Sequence, residues 1–262
     1  MTLSISNIGW TAIDDDKMYR IMKEYGFSGL EIAPTRIFPE APYDKLKKAK
    51  AWARVIRKLY GFVVPSMQSI WFGRREKLFG TEKERTVLID YTKKAIDFAA
   101  IIDCKNLVFG CPRNRVISED SDPEIGIGFF KEIGDYAASK GTVIGMEANP
   151  PIYNTNYITD TMAALKLIEE VNSAGFLLNL DVGTMIQNGE SVDELKGKVE
   201  LINHVHISEP GLKPIEKRPL HKLLREVLID EGYQGFISIE MRQVEDISVI
   251  DQTMDYIRRI FF

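Results

Sequence analysis

Four side chains that are able to bind a metal ion end four consecutive apolar segments in the second half of the chain. The segments read VIGME, LLNLD, NHVH and ISIE, and their last residues are Glu147, Asp181, His206 and Glu240. These residues are separated by 34, 25 and 34 positions, each about the length of one strand and one helix. If the segments are neighbouring parallel strands of a barrel, the four side chains converge at the carboxyl edge of the sheet.

Three carboxylates and one imidazole form an oxygen-rich ligand set. Such a set favours Mn²⁺, Mg²⁺ or Co²⁺ and tolerates Zn²⁺, whereas a thiolate-bound metal is excluded because no cysteine lies nearby. Grouping three carboxylates without a cation would carry a large repulsive and desolvation cost. The sequence therefore predicts one divalent metal ion bound by Glu147, Asp181, His206 and Glu240.

The segments that position these residues alternate between two types along the whole chain. Short apolar runs rich in Val, Ile, Leu and Phe are typical of buried parallel strands. Between them lie charged stretches with the 3.6-residue period of amphipathic helices. The predicted strands begin at Leu3, Gly29, Phe62, Lys105, Val143, Phe176, Ile202 and Phe236.

Local signals mark the ends of the predicted helices. Capping boxes are expected at Thr81 to Glu84 and at Ser191 to Glu194, and Asp122 followed by Pro123 is expected to begin a helix. Glycines directly before strands predict left-handed helix ends; they are Gly26, Gly61, Gly141, Gly175 and Gly232.

Eight strand–helix units predict an α/β protein, a single (β/α)8 TIM barrel spanning residues 1–262, because such barrels contain roughly 250 residues. No low-complexity linker divides the chain into two domains. The alternative is an open doubly wound sheet, but no glycine-rich nucleotide-binding turn follows the first strand.

Composition limits the class of partner. The net charge of −4 without a basic stripe argues against nucleic acid, and no apolar run is long enough for a membrane span. The first residues lack a secretory signal, so we expect a cytoplasmic protein. Cys104 and Cys111 are expected to be reduced thiols. A small molecule is the expected partner, and the oligomeric state, including a homo-oligomer, stays open.

The sequence resembles the xylose-isomerase-like barrels, the family of sugar phosphate isomerases and epimerases, along its whole length. The resemblance is carried by GMEANP, LDVGT, HVHISEP and GFISIEM, which look like the four metal-ligand segments of that family. It implies a divalent metal, often manganese, on the four residues named above. For the epimerase members it also implies that Glu147 and Glu240 lie on opposite faces of the substrate and exchange a carbon-bound proton.

The chemistry of the residues agrees with a role in carbohydrate metabolism. A metal that chelates a ketose carbonyl and the neighbouring hydroxyl acidifies the C–H between them and stabilises an enediolate. Two carboxylates then suffice for epimerisation or aldose–ketose isomerisation. The alternatives are a lyase of the inosose-dehydratase kind, a phosphodiester hydrolase like the apurinic-site endonucleases, and a sugar-binding barrel without turnover.

Further residues are candidates for supporting roles. His204 has the strand parity of His206 and is expected one layer below the metal, where it would orient a ligand. This layer is expected to be small and polar, with Gly145, Asn179 and Ser238 at the matching positions of the other strands. The candidate substrate-binding residues lie after the strands or in the loops beyond them; they are Asn149, Glu209, Arg242, Trp71, Gln68 and Lys213. Trp10 and Glu31 are weaker candidates for the same mouth.

Basic loops raise the option of a phosphorylated sugar, because a phosphate group would be held by Arg or Lys side chains. These residues are Arg74, Arg75, Arg113, Arg115, Lys213, Lys217 and Arg218.

Two departures from the ketose 3-epimerases concern the substrate. Tyr153 stands where those enzymes have a glutamate, and Leu212 where they have an arginine, so the resemblance does not carry over the free-ketose substrate. The segment 209–220 is the expected lid.

Overall fold

Eight parallel strands surround a central axis, and helices cover the outside of the sheet. The computed structural model describes residues 1–262, and the (β/α)8 barrel predicted from the sequence is confirmed. The strands are β1 (Thr2–Ser6), β2 (Gly29–Glu31), β3 (Ser66–Met67), β4 (Asn106–Phe109), β5 (Val143–Met146), β6 (Phe176–Asp181), β7 (Ile202–Ile207) and β8 (Phe236–Ile239).

The helices follow the strands and bury one apolar face each against the sheet. The two shortest helices follow the second and sixth strands, and the one after the second strand precedes a longer helix. They are α1 (Asp15–Glu24), α2 (Pro34–Ile37), α3 (Leu46–Tyr60), α4 (Glu82–Ile101), α5 (Glu124–Ser139), α6 (Thr161–Val171), α7 (Val182–Asn188), α8 (Pro219–Asp230) and α9 (Ile247–Phe261). None of them is long and apolar enough to cross a membrane.

Most helix-end predictions hold. Thr81 and Glu84 form the predicted capping box at the start of α4. Ser191 and Glu194 also form one, but it opens a short 3-10 turn rather than an α-helix. Four of the five glycines have the left-handed conformation, with φ between 72° and 79°.

Gly175 is the exception. Helix α6 ends at Val171, and the next residue, Asn172, supplies the left-handed turn with its φ of 45°. Gly175 is needed for close packing instead, because a Cβ at this position would lie 2.0 Å from the carbonyl oxygen of Gly134 in α5.

The sheet is continuous except at one seam. Strands are hydrogen-bonded in the order β2, β1, β8, β7, β6, β5, β4, β3. Between β2 and β3 only two isolated bridges remain, Gly29 to Val63 and Ile32 to Met67. The four strands that carry the predicted metal ligands therefore lie together in the continuous part of the sheet.

The interior of the barrel contains a hydrogen-bonded polar layer, as the strand parity predicts. The Ser4 hydroxyl donates to that of Ser238 across β1 and β8 at 2.9 Å. The Asn106 amide donates to Ser66 at 3.0 Å and to Asn179 at 3.2 Å. Gly145 leaves room for this pair, since a Cβ there would lie 2.4 Å from Oδ1 of Asn106.

Candidate metal centre

The four predicted metal ligands converge at the carboxyl ends of β5 to β8. Each of Glu147, Asp181, His206 and Glu240 offers one ligand atom within 4.8 Å of the other three. Nδ1 of His206 lies 3.0 Å from Oε1 of Glu147 and 3.3 Å from Oε2 of Glu240. Both glutamates thus lie close to the same imidazole nitrogen, and both line the cavity above it.

Asp181 is held by the start of the next helix. Its Oδ1 accepts a hydrogen bond from the backbone N–H of Thr184 at 2.6 Å, and this bond caps the start of α7. Its Oδ2 accepts a hydrogen bond from the Ser208 hydroxyl at 2.5 Å. The pKa of Asp181 is raised to about 7 by burial and then by the charges of Glu147 and Glu240.

Repulsion among the carboxylates of Asp181, Glu147 and Glu240 bears on whether these residues fit a metal ion. No Lys or Arg side chain lines the cavity above the carboxylates. A divalent cation would supply the missing positive charge, and its usual ligands in proteins are these oxygen and imidazole donors. The residues present therefore fit such an ion, held by Glu147, Asp181, His206 and Glu240.

Glu31 adds a contact that the sequence did not assign to the centre. Its Oε2 lies 2.9 Å from Nε2 of His206, on the far side of the ring. Although burial opposes charge on both groups, their attraction holds the pKa of Glu31 well below its usual range and raises that of His206. Glu31 therefore orients the imidazole so that Nδ1 faces the other ligands. The available signal was an acidic residue at the end of a fully buried strand.

His204 lies below the centre, as the strand parity predicted. Its Nε2 is 3.2 Å from the same oxygen of Glu31, yet no well-aligned hydrogen bond forms. Burial lowers the pKa of His204. A neutral imidazole beneath Glu31 is closed off from the cavity and supports the carboxylate by packing.

A second set of contacts fixes Glu147. Oε1 accepts the side-chain N–H of Asn179 at 2.9 Å, and Oε2 accepts that of Asn149 at 3.1 Å. Asn149 is held in turn by Arg115, which donates to its Oδ1 at 2.8 Å and to the Glu147 carbonyl oxygen at 3.0 Å. Arg115 is fully buried, and burial lowers its pKa to about 10. Both oxygens of Glu147 are therefore oriented before any ligand binds.

The cavity over the four predicted metal ligands has a volume of about 170 Å³. Gln68 and Asn149, both predicted to contact substrate, line it together with Tyr153 and Leu212. Gly110 also lines it, and a Cβ at this position would lie 2.8 Å from Oε2 of Glu147. The walls are thus neutral side chains around a carboxylate floor.

The structure does not bring the other four predicted substrate residues to this cavity. Trp71 is only 3% exposed and donates its indole N–H to Thr92 of α4. Glu209 is buried and bonded to Arg218, while Arg242 and Lys213 lie in the solvent-exposed part of the mouth without lining the cavity. Their positions after the strands made them candidates in the sequence, but the conformations of the loops direct their side chains away from the cavity.

The basic loops do not form a phosphate site over the ligands. Arg74 is paired with Glu76, Arg218 with Glu209 and Glu216, and Arg115 is buried behind Asn149.

The predicted lid segment 209–220 is hydrogen-bonded to a residue of the cavity wall. The Gly211 N–H donates to the Tyr153 hydroxyl at 2.8 Å, and Leu212 reaches the cavity.

Solved structures with this fold include two sugar epimerases. The 3-keto-D-glucoside 4-epimerase of E. coli is 20% identical with a TM-score of 0.77, over 99% of each chain. The D-psicose 3-epimerase of Clostridium cellulolyticum H10 is 16% identical with a TM-score of 0.78, over 100% of this chain and 99% of that one. A family 2 AP endonuclease of Brucella melitensis is 20% identical with a TM-score of 0.74, over 98% and 99%.

At these identities the likeness establishes the fold alone. No curated protein sequence gives a significant match. The model of one protein family, described as the xylose isomerase-like TIM barrel, matches residues 19–260. This match spans nearly the whole chain and agrees with the resemblance of the four ligand segments. The chain belongs to the xylose isomerase-like TIM barrel family.

Proposed function

We propose that the protein is a divalent-metal-dependent isomerase or epimerase that transfers a proton on a neutral sugar. The observation that carries this proposal is the position of Glu147 and Glu240, which both lie within 3.3 Å of Nδ1 of His206 and both line the cavity. Two sugar epimerases among the proteins of similar fold support the same reaction class.

The residues divide the chemical work. A bound divalent ion would polarise the substrate carbonyl and lower the pKa of the adjacent C–H. Glu147 is fixed by Asn149 and Asn179, and Glu240 lies 3.3 Å from Nδ1 of His206. These two glutamates are the groups available to remove and return the proton. Asp181 and His206 serve as anchors that do not need to move.

The absence of a cation from the cavity wall favours an unphosphorylated sugar. A phosphate or carboxylate on the substrate would be buried near three carboxylates with no Arg or Lys partner. Hydroxyl groups, in contrast, find acceptors and donors in the side chains of Gln68, Ser69 and Asn149.

Tyr153 is the reason to keep a dehydratase as the second candidate. Its hydroxyl accepts the Gly211 N–H, which leaves its own hydrogen free to donate into the cavity. After proton removal by a glutamate, such a donor would protonate a departing β-hydroxyl group. Dehydration would produce an absorbing conjugated carbonyl, whereas isomerisation conserves the mass of the sugar.

The test is incubation of metal-loaded protein with ketoses, aldoses, ketoglycosides and sugar phosphates in D₂O. Proton transfer predicts that deuterium enters one carbon-bound position in at least one neutral sugar. The exchange should be lost in Glu147→Gln and in Glu240→Gln, and retained in Glu76→Gln, whose carboxylate pairs with Arg74 away from the centre. Absence of exchange from every sugar would reject the proposal.

A further inference from the structure

A second, larger cavity opens beside the one over the metal ligands. It lies among the loops after β1, β2, β3 and β8 and has a volume of about 550 Å³. Ser69 lines both cavities, so they meet at the loop after β3. Ligand sites in proteins typically occupy about 300–1,000 Å³. The inner cavity is below this range, and the outer one, hereafter the outer groove, is within it.

The wall of the outer groove is neutral. Its polar groups are the hydroxyls of Thr11, Thr35 and Ser69 and the amide of Gln243. Arg36 is the one charged residue in the wall, and its guanidinium is bound to Asp15 at 2.6 Å. The charge is therefore compensated inside the protein, and the groove offers hydroxyl, amide and apolar surface without a counter-ion site.

Phe72 is held at the rim by an anchored turn. Its neighbour Trp71 packs against Phe109 and Phe129 and donates its indole N–H to Thr92, and the Phe72 N–H donates to the Ser69 carbonyl at 2.9 Å. Phe72 itself is 67% exposed. An aromatic face fixed at the edge of a hydroxyl-rich groove provides apolar surface for the C–H face of a sugar ring.

We propose that the outer groove is a second sugar subsite, and that the substrate is a glycoside or disaccharide rather than a free monosaccharide. The reacting ring lies in the inner cavity at Glu147 and Glu240, and the substituent passes Ser69 to lie against Phe72. The assignment of the reacting ring rests on the proposed function. The subsite itself rests on the shape and chemistry of the groove.

The test compares binding of one-ring and two-ring probes to the Mg²⁺-loaded protein by saturation-transfer NMR. The probes are glucose and fructose on one side and cellobiose, maltose and sucrose on the other. We expect at least one disaccharide to bind more tightly than its constituent monosaccharides, and saturation to be transferred to protons of both of its rings. Phe72→Ala should weaken that disaccharide about five-fold and leave the monosaccharides unchanged.

Two further variants sharpen the result. Ala12→Trp places an indole in the groove from an exposed position and should remove the preference for two rings. Phe262→Ala removes an equally exposed phenylalanine that does not line the groove, and should leave binding unchanged. Equal affinity for one and two rings, or an equal effect of Phe72→Ala on both, would overturn the subsite.

The outcomes separate the two proposals. Binding of a disaccharide that depends on Phe72, without deuterium exchange in any sugar, would keep the subsite and reject proton transfer. Exchange in free monosaccharides that is unaffected by Phe72→Ala, with no preference for two rings, would keep proton transfer and reject the subsite.

Discussion

Oε2 of Glu31 lies 2.9 Å from Nε2 of His206, opposite the nitrogen that faces Glu147 and Glu240. A residue of β2, outside the four predicted ligands, thus determines which nitrogen of the imidazole faces the cavity. In metal sites a carboxylate at this position fixes the ring and raises its basicity.

Replacing this carboxylate should weaken metal binding. Glu31→Gln is expected to reduce the affinity for Mn²⁺ about 10–100-fold, because the imidazole loses its charged partner. The dissociation constant is measured by titration of free Mn²⁺ with electron paramagnetic resonance. Glu76→Gln is the control, since that carboxylate pairs with Arg74 at the surface. An unchanged affinity in Glu31→Gln would mean that the contact has no role in ligation.

Gly145 should not tolerate a methyl group. Gly145→Ala places a Cβ 2.4 Å from Oδ1 of Asn106 and 3.1 Å from Cβ of Asn179. We expect a loss of about 1–3 kcal/mol in the free energy of unfolding, measured by urea denaturation. Gly128→Ala in α5 is the matched control, because no atom lies within 4 Å of its Cβ. There we expect a gain of up to about 1 kcal/mol from helix propensity; equal effects at the two sites would contradict the packing argument.

Arg115 should affect activity from behind the site. Arg115→Met leaves Oδ1 of Asn149 without its donor, so Asn149 no longer holds Glu147 in one orientation. We expect a lower kcat with little change in Mn²⁺ affinity, and a loss of about 1–3 kcal/mol in unfolding free energy. Arg113→Met, at an exposed position in the same loop, serves as the comparison. If both variants retain kcat, the orientation of Glu147 does not depend on Arg115.

His221 should make the protein less stable in mild acid. Burial lowers the pKa of this histidine to about 4, whereas in the unfolded chain it is about 6.5. Between these values the unfolded state binds the proton and the folded state does not, so stability is full above about pH 6.5 and falls toward pH 4. From about pH 7.5 to about pH 5 the contribution is about 2 kcal/mol.

The measurement compares wild type with His221→Gln by urea denaturation at both pH values. The variant loses the bond to the Tyr256 hydroxyl, 2.9 Å from Nδ1, and should cost stability at the higher pH. That cost should shrink by about 2 kcal/mol at the lower pH, because glutamine does not titrate. A pH-independent cost would mean that the pKa of His221 is the same in the folded and the unfolded protein, and would contradict the prediction.

The fold and the four converging residues could be predicted from the sequence, because the fold follows from the periodicity of apolar residues and the four residues end predicted strands. The apolar runs before Glu147, Asp181, His206 and Glu240 determine parity, and parity determines which side chains share an edge. Glu31 was placed at the mouth without a role because its partner, His206, is 175 residues away. No local sequence pattern indicates that these two residues are in contact.

Loop residues were harder to predict for a related reason. Trp71 and Glu209 follow strands as Gln68 and Asn149 do, yet Trp71 turns into the core against Phe109 and Glu209 is taken by Arg218. Which way a side chain turns after a strand is decided by tertiary partners. Those partners lie on other loops, and periodicity does not report them.

The seam between β2 and β3 divides the barrel into parts with different tolerance for change. The strands with the carboxylates are tied on both sides by backbone hydrogen bonds, whereas the loops around Phe72 and Thr35 border the weakest pairing in the sheet. We therefore expect substitutions in these loops to alter which molecules enter without moving the groups that react, as long as Glu31 at the end of β2 is kept. For a laboratory selecting new substrates, these loops are the part of the molecule to randomise.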